Sequence, residues 1–274
     1  MYLDFHTHGK LAKKLPFSEE YTRWLLTEAR EAGLDAICLT EHFNTLGFDR
    51  ICRYMTEHGE KDGDTLVTDG MRIFPGMETD IAEGGHILSV GPMEAIREVN
   101  KRLEPYKEKG HFLPYSRLMD LLEEYPVLVG GAHPFRAGSH IPELEDRQLA
   151  RLHFFDLNGK DVAEHRELTE HLTYGLGKTY GKPVVGGSDT HQAVQYGCIR
   201  TEFEKECRTV AELYQEMKAG RYAICISDQA SLQVKTAGLL KRALKEIHAL
   251  GGDYVSVLLG KEPAWLAFQG KKVV

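Results

Sequence analysis

The stretch Tyr2-Leu3-Asp4-Phe5-His6-Thr7-His8 is a short strand-like run that ends in two histidines. Residues 18–32 follow with helical periodicity, with Ser18 as a typical N-cap and Gly33 as a typical C-terminal stop. A second apolar run of strand type, Ala36-Ile37-Cys38-Leu39, comes next. These segments predict a strand-helix-strand unit, and such alternation favours a parallel sheet.

The same alternation continues along the chain. Further predicted strands are Ile73-Phe74, Ile87-Leu88-Ser89-Val90, Val127-Leu128-Val129, Phe154-Phe155-Asp156-Leu157 and Val184-Val185. Predicted helices lie near residues 46–60, 92–104, 116–124, 144–151, 161–180 and 209–219. The 274 residues allow either two small domains or one α/β barrel, which takes about 250 residues. Because no linker or internal repeat divides the chain, we predict a single domain over residues 1–274.

The last part of the chain is less regular. We predict a core over residues 2–222 and a C-terminal extension over residues 223–274, which caps or closes the core. Within it, residues 237–250 form a basic amphipathic helix and residues 253–274 a strand-like tail. A membrane-surface helix would carry a similar apolar stripe, but packing on the barrel is the preferred explanation.

Composition excludes several classes of protein. The chain is 42% hydrophobic and 27% charged, with a net charge of −7, so its general field repels nucleic acid and anionic lipid. We therefore expect no obligate nucleic-acid partner and no membrane partner. The absence of a long apolar run or a signal sequence predicts a cytoplasmic protein. The five cysteines form no CxxC pair, which gives no indication of a disulfide framework or a thiolate metal site.

Metal-ligand side chains follow one predicted strand after another. They are His6, His8, Glu41, His42, Glu78, His86, His133, Asp189 and His191. His42, His86 or His133 taken alone is better explained as a hydrogen-bonded residue near a strand end, but that explanation fails for histidines repeated at successive strand ends. In βα barrels the carboxyl ends of the strands carry the active site. Imidazoles and carboxylates without cysteine predict an open catalytic site for zinc, manganese or iron, and a shared carboxylate suits a multinuclear centre.

The order of these motifs resembles that of the PHP family, the polymerase and histidinol phosphatase superfamily of metal-dependent phosphoesterases. The matching motifs are His6-Thr7-His8, Glu41-His42, Gly76-Met77-Glu78 followed by His86, Ala132-His133-Pro134 and Gly187-Ser188-Asp189-Thr190-His191. The resemblance runs in order from residue 2 to about residue 222. It implies a distorted (βα)7 barrel of TIM-barrel type, with two or three divalent transition metals at the carboxyl ends of the strands.

The resemblance also implies a ligand set for each metal. His6, His8, Glu78 and Asp189 would hold the first metal, and Glu78 would bridge to a second metal held by His86 and His133. His42 and His191 would belong to a third. Trinuclear members usually place an Asp or His where this chain has Lys13-Lys14-Leu15. Glu41, Glu19 or Glu20 are candidates for the missing ligand, and a lysine there could instead meet a substrate phosphate.

These residues predict a hydrolase that acts on a small phosphomonoester through metal-activated water. Glu78, Asp189 and His191 are the predicted catalytic residues, and a metal-bound water or His191 protonates the leaving group. Arg136 is either a phosphate clamp or a surface arginine at a helix; Lys13 and Lys14 are either substrate ligands or a solvated pair. Two alternatives remain open: an amide or carboxylic ester hydrolase with the same metals, and a non-catalytic metal-binding module.

Overall fold

Strands and helices alternate through most of the chain, in the order that the sequence predicts. The computed structural model describes residues 1–261. Its strands are β1 Tyr2–Thr7, β2 Ala36–Leu39, β3 Gly59–Asp62, β4 Thr65–Thr68, β5 Met71–Asp80, β6 His86–Val90, β7 Leu128–Ala132, β8 Phe154–Asn158, β9 Val184–Gly187, β10 Ile199–Phe203 and β11 Tyr222–Ile226. Its α-helices are α1 Glu19–Glu31, α2 Phe48–His58, α3 Met93–Arg102, α4 Tyr115–Leu122, α5 Asp146–Leu149, α6 Gly159–Tyr180, α7 Val210–Lys218, α8 Ala230–Ala249 and α9 Tyr254–Leu258.

The strands form one curved sheet in the order β11-β10-β1-β2-β5-β6-β7-β8-β9. The sheet nearly closes on itself, because the residues after β9 bond to the end of β1. Asp189 N donates to His6 O at 2.7 Å, and His8 N donates to Thr190 O at 3.0 Å. This arrangement confirms the predicted barrel-like α/β fold. It also brings the carboxyl ends of β1, β2, β5, β7, β8 and β9 to one edge.

Strand β6 departs from the predicted parallel sheet, since it runs antiparallel to both β5 and β7. The reason is the short connection over residues 81–85. A parallel pair needs a crossover of about a dozen residues, so these two strands can only form a hairpin. Gly84 and Gly85 make the turn with φ values of 95° and 114°. The amino end of β6 therefore lies at the same edge as the carboxyl ends of its neighbours.

Three further regions differ from the sequence-based assignment. The predicted helix 46–60 ends at His58, and the hairpin β3–β4 follows. The edge strands β10 and β11 are additional, and both pairings that β10 makes are antiparallel. The strand-like tail is wrong for Tyr254–Leu258, which form helix α9 capped by the Asp253 side chain. Residues 262–274 of that tail lie outside the described residues.

Alternate residues of the strands pack into two separate apolar layers. Ile73 and Phe155 belong to the layer between sheet and helices, whereas Phe5, Phe74 and Phe154 fill the inside of the barrel. The rings of Phe5 and Phe154 are 5.7 Å apart. The barrel is therefore a filled core on which the polar strand ends rest. Within residues 1–261, no helix has the length and apolar character needed to cross a membrane.

Candidate metal centre

The predicted metal ligands lie together at the barrel edge formed by the carboxyl ends of the strands. His6 lies in β1 and His8 directly follows it, while Glu78 lies in β5. The other predicted ligands also belong to this edge: Glu41 and His42 after β2, His86 at the start of β6, His133 after β7, and Asp189 and His191 after β9. His86 reaches the group because its strand runs in the opposite direction. Strand direction therefore explains how residues distant in sequence meet.

The Glu78 carboxylate lies at the centre of the group and is 1% exposed. Its oxygens are 2.6 Å from His86 Nδ1, 2.7 Å from His42 Nδ1 and 3.1 Å from His133 Nε2. The Nε2 atoms of His6 and His8 are each 3.6 Å away. Burial raises the pKa of Glu78, but the charges of the surrounding imidazoles outweigh it and hold that pKa well below its usual value. The carboxylate is thus a buried anion surrounded by imidazole rings.

Asp189 forms a second anionic point beside the histidines. Its Oδ1 is 3.2 Å from His8 Nε2, and its Oδ2 is 2.7 Å from Arg136 Nη1 and 2.9 Å from Lys160 Nζ. Asp189 and His133 have positive φ values of 55° and 30°. Non-glycine residues adopt this conformation mainly where the surroundings hold them there, often at functional sites. These two residues are therefore held in an uncommon backbone conformation at the candidate site.

His191 completes the opposite side of the group. Its ring stacks on that of His8 at 4.1 Å, and the rings of His8 and His42 are 4.5 Å apart. The His191 Nδ1 donates to the carbonyl of Lys10 at 2.7 Å, which leaves the lone pair on Nε2. Burial lowers the pKa of His191 well below its usual value. This neutral tautomer suits a metal ligand better than a proton donor.

Three sets of side chains place their ligand atoms within 4.8 Å of one another: His6, Glu78 and His133; His6, His8 and Asp189; His8, His42 and His191. These sets overlap with the three groups of ligands that the family resemblance implies, but their members differ. His6 takes the place of His86 beside Glu78 and His133, and His8 joins His42 and His191. His6 Nε2 and Glu41 Oε2 are buried without a hydrogen-bond partner, and so are His42 Nδ1 and Glu78 Oε2, which approach each other without hydrogen-bond geometry. Buried polar atoms are rarely left unpaired. Imidazole and carboxylate donors of this kind fit divalent transition metals.

Asp156 supports the group and was not among the predicted site residues. This fully buried carboxylate accepts hydrogen bonds from His6 Nδ1 and Asn158 Nδ2, both at 3.0 Å. A carboxylate on the second ring nitrogen orients a ligand histidine and fixes its tautomer, so His6 presents Nε2 to Glu78. The available signal was an Asp within the apolar run Phe154-Phe155-Asp156-Leu157.

The predicted substrate cations occupy different positions. Arg136 is 27% exposed at its side chain and is held by Asp189, Asp161 and Asn158. Its guanidinium therefore supports Asp189 as well as facing the site.

Lys13 Nζ is 3.1 Å from Asp80 Oδ2, and Asp80 Oδ1 is 3.0 Å from His86 Nε2. Lys14 is exposed and, like Lys13, lines a cavity of about 1150 Å³ beside α2 and α3; within residues 1–261 it forms no ion pair with a carboxylate. Glu41 Oε1 lies 3.6 Å from His8 Nδ1, which places Glu41 next to the His8, His42 and His191 set. Glu19 and Glu20, the other candidates for the missing ligand, begin helix α1, and both are exposed.

Comparison with known proteins gives a family match over part of the chain and a likeness of fold. The family model described as PHP-associated matches residues 176–222. A search of curated proteins found no match. Among solved structures, PsfC from Pseudomonas syringae PB-5123 is similar with a TM-score of 0.72 and 23% identity, over 89% of this chain and 98% of that one.

Two other solved structures share the fold more distantly. The lesion-specific endonuclease PfuEndoQ from Pyrococcus furiosus has a TM-score of 0.58 at 18% identity, over 81% of this chain and 57% of that one. An amidohydrolase from Chromobacterium violaceum has a TM-score of 0.50 at 13% identity, over 81% and 97%. These identities establish likeness of fold. The PHP-associated match and the ordered motifs that meet at one barrel edge agree with the resemblance to the PHP family.

Proposed function

We propose that this chain is a metal-dependent phosphoesterase that hydrolyses a small phosphomonoester. The observation that carries the proposal is the buried Glu78 carboxylate with five imidazoles within 3.6 Å. Two or three divalent ions of zinc, manganese or iron would be held by His6, His8, Glu41, His42, Glu78, His86, His133, Asp189 and His191. When bound, such ions acidify a water molecule for attack and neutralise charge on phosphoryl oxygens.

The chain's own residues prepare this chemistry. Glu78 offers one oxygen to each side of the cluster, as a bridging carboxylate requires. Asp156 orients His6, and Arg136 and Lys160 fix Asp189 from the side opposite the histidines. The neutral His191 presents Nε2 as an acceptor, so we assign protonation of the leaving group to water and not to His191.

The positively charged side chains around the candidate metal centre favour an anionic substrate. Lys13, Arg136 and Lys160 approach the cluster from two loops and from helix α6. Such cations bind phosphate well, and Arg does so bidentately. A carboxylic ester or amide presents less charge to them. The fold shared with an endonuclease makes a phosphodiester in DNA a second class to be tested, whereas the net charge of −7 disfavours it. Cytoplasmic location and a single domain over residues 1–274 stay predictions.

The reaction class is tested by steady-state kinetics with the metal-loaded protein. We expect a higher kcat/KM for a phosphomonoester than for a matched carboxylic ester, with competitive inhibition by inorganic phosphate. A phosphodiester and an abasic-site duplex are assayed in parallel. Preference for the carboxylic ester without inhibition by phosphate would favour the amidohydrolase-type alternative. Stoichiometric metal without turnover of any of these substrates would favour a binding module.

Replacement of Arg136 tests whether this residue supports Asp189 without being needed to hold the metals. We expect Arg136→Ala to keep its bound metals but to lose roughly 10- to 100-fold in kcat/KM, the range found when partners of metal ligands are removed. KM should rise because a cation is lost beside the candidate metal centre, and kcat should fall because Asp189 is less well held. Metal analysis and kinetics check this, with Arg166→Ala on α6, half exposed at its side chain, as the control. Loss of all bound metal would contradict the supporting role.

A further inference from the structure

A basic cavity lies beside the metal centre, between helices α6 and α8. Its volume is about 510 Å³, and His191 forms part of its wall. Four cations line it, Lys160, Lys235, Lys241 and Arg242, against the single carboxylate of Glu164. Helix α8 is held in place by Gln233, whose Nε2 donates to Tyr196 O at 2.9 Å, and by the buried Ala237 and Leu244. The cavity is therefore a feature of the packed structure.

Lys241 differs from the other cations of this cavity. Its residue is partly buried, whereas Lys235 and Arg242 are exposed. Within residues 1–261, its ammonium has no hydrogen bond and no ion pair, while Lys160 is bound to Asp189 at 2.9 Å. Burial and the like charge of Lys160 lower the pKa of Lys241 to about 8, and the carboxylates of Asp189 and Glu41 oppose this shift. The ammonium is thus within electrostatic range of the centre, yet unpaired.

An unpaired cation in a partly buried position is costly unless an anion compensates it. Asp189 does not supply this anion for Lys241, because its Oδ2 is already paired with Arg136 and Lys160. The remaining space is the cavity itself, which opens beside His191. A phosphate oxygen placed there would meet both ammonium groups and would stay next to the histidines. Charge-assisted hydrogen bonds of this kind are among the stronger polar contacts in proteins.

We infer that Lys241 of helix α8, together with Lys160, binds a phosphate group beside the metal centre. The inference rests on the proposed phosphoesterase function and deepens it, since it gives the C-terminal helix a role in substrate specificity. Lys241 acts here as a binding residue and takes no part in the attack on phosphorus.

The test is binding of inorganic phosphate to the metal-loaded full chain, measured by titration calorimetry. We expect Lys241→Met to weaken binding about tenfold or more, as expected for loss of one hydrogen bond to a charged group. Lys241→Arg should recover most of the affinity. Lys245→Met, one turn away on the same helix and exposed, is the control and should bind like the wild type. In turnover assays, Lys241→Met should raise KM more than it lowers kcat.

The outcomes separate this inference from the proposed function. Unchanged phosphate affinity in Lys241→Met, with unchanged metal content and melting temperature, would overturn the inference even if phosphomonoesters are hydrolysed. Absence of phosphate binding to the wild type would overturn it as well. Lysine-dependent phosphate binding without phosphoester turnover would support the inference and refute the proposed function. If Lys241→Met does not fold, Lys241→Gln provides the same comparison.

Discussion

Glu78→Gln is expected to remove bound metal and activity together. The substitution keeps the shape of the side chain but replaces a buried anion, which lies within 3.6 Å of five imidazoles, with a neutral amide. If Glu78 bridges two ions as proposed, its loss would leave neither ion with a complete set of anionic ligands. We expect kcat to fall roughly 10²- to 10³-fold or more, the scale found for loss of one preorganised electrostatic group.

Elemental analysis and steady-state kinetics on the same preparation measure this result. Glu98→Gln on α3, where the carboxylate is 48% exposed at its side chain, is the matched control and should keep both metal and activity. Circular dichroism and thermal unfolding show whether the Glu78 variant still folds. A folded variant with its full metal content would refute the bridging role of Glu78.

Much of the fold was predictable because strand and helix periods are local properties. The run Tyr2–Thr7, the helix after Ser18 and the strand Ala36–Leu39 all lie where the sequence pattern predicts them. The direction of β6 is set by its short connection to β5. That connection is visible in the sequence, but the alternation of strands and helices in the rest of the chain favoured a parallel strand. The edge strands β10 and β11 were missed because their pairing partners are distant in sequence.

The predicted ligands meet at one edge because each lies at or just after the carboxyl end of a strand of the same barrel, or, for His86, at the start of the reversed strand β6. The supporting residues had no such signal. Asp156 lies in the middle of a buried strand, Lys160 at the start of α6 and Lys241 within α8. Their roles depend on which helix packs over which strand end, and spacing along the sequence does not contain that information. The same reason explains Lys14, which is exposed while its neighbour Lys13 reaches Asp80.

Protons and metal ions are expected to compete for His86. Its Nδ1 is 2.6 Å from Glu78 and its Nε2 is 3.0 Å from Asp80. Burial lowers the pKa of His86, but these two carboxylates outweigh burial and raise it to about 9 in the metal-free protein. Both ring nitrogens then carry protons, and one of them must leave before the ring can bind a metal.

Metal affinity should therefore rise with pH until it levels off above about pH 9. For one released proton, linkage gives about a tenfold change in apparent affinity for each pH unit below that value. Between pH 6 and pH 8 the apparent affinity for zinc should accordingly increase at least about 100-fold, since Glu78 and Asp156 outweigh burial and also raise the pKa of His6 well above its usual value. Competition titrations with a chelator of known affinity measure the slope, and calorimetry in buffers of different ionisation enthalpy counts the released protons. Asp80→Asn removes one of the two carboxylates, so it should lower the pKa of His86. The pH above which metal affinity no longer rises should then be lower than in the wild type.

An affinity that does not change between pH 6 and pH 8, after correction for the chelator and for metal hydrolysis, would show that His86 carries no extra proton or does not bind the metal.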